Sequence, residues 1–427
     1  MNRRCLFLSI GCALLVFSPV SAQIYEESPI RYSRRTPGDI AASWSRTLPV
    51  GEPKFDHSSP KAFLKSVLDE LDISPTSQLL VFSTTSFQNK KIDGARPRAL
   101  YFNENHYVGF VQGGPVELAT TDSRMGVNFY TMSVPKPNDL RGPTLHRDPA
   151  CITCHAGNSQ SDFPGLMALS VFSTEEGSQV LQGTTHVVDD TQDIHNRWGG
   201  WYVTGQVEGP RHRGNAYYLP TSDRDADPKL EKDFGLTVKE LSGQLDMEPY
   251  LANTSDVVAL LVFEHQLHAH NQLVEAFGHS RIAIYADDEY MAGGELQPKT
   301  LAVMDAEIED LLEVMLFSEE ADLAQHQIKG STAYQTAFQE NAQRDEAGRS
   351  LKDFNLDDRL FQYRLSYMIY SEAFDHLPEQ FQERFFTRLE EVLDGSPEED
   401  RFKHLPVEER QAIKSILEAT LPQPFDS

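Results

Sequence analysis

The sequence predicts an α+β fold, with a β-rich N-terminal half over residues 23–225 and an acidic, mostly helical half over residues 226–427. Three observations carry this. Short apolar runs with turn residues between them fill Leu79 to Val207, which is strand patterning. Beyond Lys229 the apolar residues recur at helical spacing. The chain has 427 residues, 40% hydrophobic and 24% charged, which excludes wholesale disorder, a collagen and a polytopic membrane protein.

Gln23 to His57 is polar and interrupted by Pro37 and Gly38, so it reads as an extended lead-in. Ser59 offers an N-cap, Pro60 fits the first helical turn, and Phe63, Val67 and Leu71 follow at helical spacing. Leu79-Leu80-Val81-Phe82, Ala99 to Phe102, Tyr107 to Val111, Val116 to Leu118 and Val127 to Tyr130 read as strands. Gly113-Gly114-Pro115 and Asp122 to Gly126 read as turns. Leu166 to Phe172, Gln179 to Leu181 and Trp201 to Val207 look extended. Residues 256–277, 301–326, 359–375 and 379–393 carry apolar stripes with charged opposite faces, so helices are expected there. Asp223 to Asp227 begins like a calcium loop, but Pro228 and Phe234 stand where Gly and Glu are needed; a solvated loop is expected.

The first 22 residues have a secretory pattern: Arg3 and Arg4, an apolar run from Leu6 to Ser18, and small residues at Val20-Ser21-Ala22. Export with cleavage near Ala22, into the periplasm or beyond, is expected. The run is too short for a comfortable span of about 20 apolar residues, so no transmembrane segment is expected in the mature chain. Cleavage removes two of the 38 bases and none of the 64 acids. The mature protein is then strongly anionic, which argues against a nucleic-acid partner. The acids crowd the C-terminal half, where solvated helix faces are the plain reading and a docking surface for a basic redox partner the sharper one.

Cys5 and Cys12 lie in the leader, so the mature chain keeps Cys151 and Cys154. They stand in Cys151-Ile152-Thr153-Cys154-His155, the Cys-x-x-Cys-His pattern of c-type haem attachment. Two thiols three apart on a tight turn reach the two vinyl groups of one haem, and the next His lies under the iron. A thioredoxin-like motif would need a strand-to-helix setting, yet Pro143, Pro149, Pro164 and Gly165 surround this one. A zinc site would need two further ligands, and there is no second Cys pair. One covalent haem c, with His155 as metal ligand, is therefore expected, and with it electron transfer.

A second axial ligand is sought on the 256–277 segment, which holds His265, His268 and His270. On a helical wheel His270 falls at about 280°, among Phe263, Leu267, Val274 and Phe277, while His268 shares a polar side with Glu264, Asn271 and Glu275. His270 is thus the first candidate and His265 the second; His212, His186 and Met167 are others. Arg197-Trp198-Gly199-Gly200-Trp201-Tyr202 is dense in aromatics and glycine, so Arg197, Trp198 and Trp201 are candidate haem contacts, with a tight core bend as the alternative. Arg141, Arg147 and Arg197 are candidate propionate partners.

Val81 to Gln88, Pro97 to Asn103, Tyr107-Val108-Gly109, Cys151 to His155, Arg197 to Gly205 and His265-Gln266 with His270-Asn271 resemble a group of bacterial single-haem cytochrome c domain proteins. The resemblance spans roughly residues 25–280. It implies haem c at Cys151, Cys154 and His155, and electron transfer in general terms. After Thr204-Gly205 the chain departs from the group, with Gln206-Val207-Glu208-Gly209 where His-Gly is expected. A haem-dependent oxidoreductase of peroxidase or oxygenase type, with an open distal iron position, is the alternative function.

Overall fold

The structure is a computed structural model and describes residues 23–51, 54–136, 142–156, 162–222, 228–395 and 399–421. The leader at residues 1–22, Arg141 and the Asp223–Asp227 segment lie outside the described residues.

The strands are β1 (Leu79–Val81), β2 (Arg98–Phe102), β3 (His106–Phe110), β4 (Val116–Asp122), β5 (Gly126–Met132), β6 (Leu145–Arg147), β7 (Leu169–Ser170), β8 (His186–Val187), β9 (Trp201–Tyr202), β10 (Gly205–Gln206), β11 (Ala216–Leu219), β12 (Lys229–Asp233) and β13 (Thr237–Val238). The helices are α1 (Ile40–Thr47), α2 (Pro60–Glu70), α3 (Ile152–His155), α4 (Val257–Tyr285), α5 (Asp288–Met291), α6 (Pro298–Met315), α7 (Thr332–Gln339), α8 (Glu372–Asp375), α9 (Glu379–Asp394) and α10 (Val407–Thr420). An antiparallel sheet occupies the N-terminal half and helices dominate the C-terminal half.

The sheet has seven strands in the order β6-β5-β4-β3-β2-β1-β9, all pairs antiparallel. Strands β1 to β6 form a meander, with short turns between β2 and β3, β3 and β4, and β4 and β5. Between β4 and β5, Asp122 Oδ1 accepts from Arg124 N at 2.8 Å and Gly126 takes φ +80°. One face carries Leu80, Tyr101, Val108, Leu118 and Tyr130 and packs on α1 and α2. The other carries Phe102, Tyr107, Ala119 and Phe129 and packs on α4. Burial on both faces explains why the strands read as continuous apolar runs without alternation.

Helix α4 is the spine of the second half. Asp256 caps it, accepting from Val258 N at 3.0 Å and Ala259 N at 3.2 Å. The polar side is only half-exposed: His268, Asn271 and Glu275 are half-buried and Glu264 is fully buried, as are His265 and Gln266, while His270 is buried as expected. The sheet lies on one side of this helix and α6 on another. Helix α9 packs on α6 and α10 on α9. No helix among the described residues is long and apolar enough to cross a membrane.

Five segments differ from the sequence expectation. Residues 23–57 include α1, capped by Asp39, whose Oδ1 accepts from Ala42 N at 2.8 Å. Residues 359–375 form only a short turn at Tyr367–Tyr370 and α8. There Leu360 N donates to Glu320, Arg364 N to Glu409 and Ser366 N to the Met315 carbonyl. Donors engaged by other elements cannot build a helix. Helix α6 stops at Met315, and Phe317 takes φ +56°. Helices α7 and α10 were not expected at all.

Asp256 also accepts from Ser331 N, so one carboxylate joins α4 to the approach of α7. Burial pushes its pKa up to about 6, and both helix donors fall on one oxygen, an acceptor that an amide side chain keeps. Asp256→Ala should destabilise the fold by about 1–3 kcal/mol, and Asp256→Asn by much less. Urea unfolding of both variants measures the difference; equal losses would contradict the capping role.

Candidate functional site

The Cys-x-x-Cys-His run leaves edge strand β6 through Asp148-Pro149-Ala150 and makes the single turn of α3. Asp148 Oδ1 accepts from Ala150 N at 2.9 Å, and the Asp148 carbonyl accepts from Cys151 N at 3.2 Å. The Cys151 carbonyl then accepts from Cys154 N at 3.1 Å and His155 N at 3.0 Å. Both cysteines are free thiols, Cys151 half-buried and Cys154 exposed. Burial, with the Asp148 and Glu117 carboxylates, pushes the Cys151 thiol up to about 11. A disulfide oxidoreductase needs the opposite shift, because the thiolate is its nucleophile.

His155 stacks on Phe129 of β5, with centroids 4.2 Å apart. Its Nδ1 lies 2.8 Å from the Gly165 carbonyl, while Gly165 N donates back to the His155 carbonyl at 2.9 Å. A carbonyl only accepts, so Nδ1 carries the proton and Nε2 keeps its lone pair. Burial lowers the His155 pKa, which favours this neutral form. Among the described residues no hydrogen bond reaches Nε2. An imidazole oriented by a backbone carbonyl, with the far nitrogen unprotonated, is the usual state of a metal-ligating histidine.

Helix α4 positions this loop. Asn271 Oδ1 accepts from Leu166 N at 2.7 Å and its Nδ2 donates to the Leu166 carbonyl at 2.8 Å. Gly278 lies under the Phe163 ring; a Cβ there would fall 2.2 Å from Phe163 Cζ. Neither contact was foreseen from the sequence, because a lone Asn or Gly inside a helix carries no specific signal.

The other expected site residues do not gather around this turn. His270 is wholly buried, but its Nδ1 is 3.0 Å from the Tyr107 hydroxyl and its Nε2 is 3.5 Å from Thr121 Oγ1. Gln266 Nε2 donates to the same Tyr107 oxygen at 2.7 Å, so the Tyr107 proton points at His270. His265 Nδ1 is 2.6 Å from Asp190 Oδ2 and its Nε2 is 2.8 Å from Ser366 Oγ. Both imidazoles are engaged within the protein. Arg197 forms a buried ion pair with Glu264 at 2.9 Å. Trp198 packs edge-on to His212, and Trp201 Nε1 donates to the Leu169 carbonyl at 2.8 Å. Trp201 lies on β9, five strand spacings from β5, about 24 Å. Arg197 and Trp198 lead into this edge strand through a bend in which Trp198 takes φ +66° and Gly200 φ +84°. His186 accepts from Arg213 at 3.1 Å, and Met167 lines a cleft beside His268. Arg147 lies over the Tyr32 ring at 4.3 Å.

Asp190 is the residue the sequence did not signal. It sits in an unremarkable loop, yet its two oxygens take His265 and His268, each at 2.6 Å. The order Ser366, His265, Asp190 resembles a hydrolase triad. Ser366 is wholly buried, however, and its oxygen also accepts from Met368 N, so the chain is a polar support for α4. Burial raises and the two imidazoles lower the Asp190 pKa; the imidazoles prevail. Burial lowers the His268 pKa, but Asp190 outweighs it and drives His268 up to about 9.

Comparison with protein-family models, with curated proteins and with solved structures finds no match for this chain.

A raised imidazole pKa stabilises the fold fully below the unfolded value of about 6.5, and the effect fades as pH rises through about 9. His268→Gln should therefore cost about 1–3 kcal/mol near pH 6 and much less above pH 9. Urea midpoints of wild type and variant across this window test it. A difference that does not change with pH would contradict the His268–Asp190 pair.

Proposed function

We propose that this protein is an exported monohaem c-type cytochrome, its haem held by Cys151 and Cys154 and ligated by His155. The observation that carries the reading is the His155 geometry: Nδ1 bonded to the Gly165 carbonyl, Nε2 without a partner among the described residues, beside two free thiols on one turn. The Cys151 and Cys154 thiols would each add S–H across one vinyl C=C, sulfur to one carbon and hydrogen to the other, with no oxidant and no leaving group. Bound haem supplies one-electron ferric–ferrous chemistry. The chain would supply the His155 imidazole, the Phe129 ring stacked on it, and the α4 clamp on the loop behind it. On this reading the haem belongs to the β-rich half, and the protein is similar to the bacterial single-haem cytochrome c domain proteins. The secretory pattern at residues 1–22 supports export, and the acidic C-terminal half supports a basic redox partner.

One observation favours the second reading, a haem oxidoreductase with an open distal position. The two leading histidine candidates, His265 and His270, each have both ring nitrogens engaged. Carbon monoxide separates the readings: rapid binding to the ferrous protein supports the oxidoreductase, and an inert six-coordinate spectrum supports the carrier.

Haem should stay with the denatured polypeptide on a gel, and the Cys151→Ser, Cys154→Ser double variant should abolish that. His155→Ala should lower the yield of haem protein and alter its spectrum. Haem that extracts from wild type into acidified organic solvent would overturn the proposal.

A further inference from the structure

Away from the Cys-x-x-Cys-His turn, one cluster of metal-ligating side chains joins three separate segments. Glu275 and His279 stand four residues apart on α4, so their side chains share one face of the helix. Helix α6 packs on α4 and brings Glu307 to that face. The segment that leads into Gly165 brings Asp162. One ligand atom each from Asp162, Glu275 and His279 lies within 4.8 Å of the other two.

The His279 ring is fixed from two sides. Its Nε2 donates to Asp162 Oδ2 at 3.1 Å, and the Phe163 ring meets it edge-on with centroids 5.2 Å apart. A carboxylate only accepts, so this proton sits on Nε2 and the Nδ1 lone pair faces the other way. Nδ1 is closed off from solvent, 2.8 Å from Glu307 Oε1 and 3.7 Å from Glu275 Oε2. Neither oxygen lies in line with a ring N–H at Nδ1. Glu275 Oε1 is turned elsewhere, accepting from Asp162 N at 2.8 Å. The Glu275 and Glu307 side chains are only 15% and 14% exposed, so water screens them poorly. A lone pair and two carboxylates at these distances repel unless a cation stands between them. A second ring proton is the simplest such cation: Glu307 above all, with Glu275 and Asp162, pushes the His279 pKa up to about 9 against burial.

We propose that His279 Nδ1, Glu275 and Glu307 bind a divalent metal ion of the Zn²⁺ or Mn²⁺ class, with Asp162 orienting the imidazole from its other nitrogen. One imidazole with two carboxylates is a donor set that suits these ions rather than a soft one. A carboxylate on the far nitrogen is the usual device that fixes the tautomer and plane of a ligating histidine. A metal ion lies in line with the Nδ1 lone pair and bridges to both carboxylates, which a ring proton at this geometry does not. The ion would neutralise two poorly screened charges and tie α4 to α6. Through Asp162 it would also brace the segment that runs by Phe163 to Gly165, whose carbonyl orients His155. The site stands apart from the haem reading and does not depend on it.

Mn²⁺ is the probe, because it has little affinity for the Cys151 and Cys154 thiols. It is added to the purified protein after chelator treatment, and the free ion is counted by electron paramagnetic resonance. Wild type should take up one Mn²⁺ per chain, Zn²⁺ should displace it, and the bound ion should raise the urea midpoint. His279→Ala and Glu307→Gln should abolish the uptake, and Asp162→Asn should weaken it by roughly 10–100-fold. His268→Gln, at the separate cluster with Asp189 and Asp190, should leave it unchanged. If His279→Ala does not fold, Glu307→Gln carries the test, with far-ultraviolet circular dichroism to confirm its fold. No uptake by folded wild type, which leaves the proton as the sole occupant, overturns the site. Uptake that folded Glu307→Gln retains, or that His268→Gln loses, overturns it as well.

Discussion

Helix α4 is buried on nearly every side although a run of polar residues occupies its middle, and that constraint shapes the rest of the molecule. A buried polar group without a partner costs about 1–3 kcal/mol, so each of these side chains needs a specific neighbour. Glu264 takes Arg197, His265 takes Asp190 and Ser366, Gln266 takes Tyr107 and Tyr367, and Asn271 takes the backbone of Leu166. Those partners come from the sheet, from the loops around residues 166, 190 and 197, and from the turn at Tyr367. Satisfying one helix therefore fixes the relative positions of five other segments. Burial pushes the Glu264 carboxyl up to about 7 against the pull of Arg197, which shows how dry this interior is.

The same helix connects fold to site. His155 depends on the Gly165 carbonyl for its orientation, Gly165 is followed by the Leu166 backbone that Asn271 clamps, and Phe163 rests on Gly278. Rotation of α4 by one residue would break both contacts. The acidic C-terminal helices act further out. Arg388 and Arg401 reach Glu309 and Glu399 between α6 and α9. Part of the acidity there is thus internal bracing, and only the remainder faces outward.

Local signals were legible in the sequence and long-range ones were not. Ser59 and Pro60 mark α2 because caps act within one turn: Ser59 Oγ accepts from Ala62 N at 3.1 Å. Strands β2 to β5 were readable because short turns separate them. The 359–375 segment misled, since Phe361, Leu365 and Met368 have helical spacing but their backbone donors are served by Glu320, Glu409 and Met315. The wheel placed His270 correctly in the interior but could not say what lies opposite. Glu264 and His268 were expected on a wet face, and the loops carrying Arg197 and Asp190, distant in sequence, close over them. The Cys-x-x-Cys-His run was legible because its chemistry is contained in five residues, whereas Gly165, Asn271 and Gly278 matter only through contacts that a single sequence does not display.

The position of His270 bears on the second axial ligand. One iron holding two imidazoles keeps the two ligating nitrogens about 4 Å apart, at about 2 Å per metal–nitrogen bond. His155 rests on Phe129 of β5, and His270 rests against Tyr107 of β3 and Thr121 of β4. Strands β3 and β5 are two spacings apart, about 10 Å. Both partners are anchored, His155 by its turn and Gly165, His270 by a rigid helix. Bringing them to one iron would require α4 to slide across the sheet, leaving the Tyr107 hydroxyl without its acceptor and breaking the Asn271 clamp that orients His155. The contacts that orient His155 and those that engage both nitrogens of His270 run through the same helix, so a shift of α4 disturbs both imidazoles.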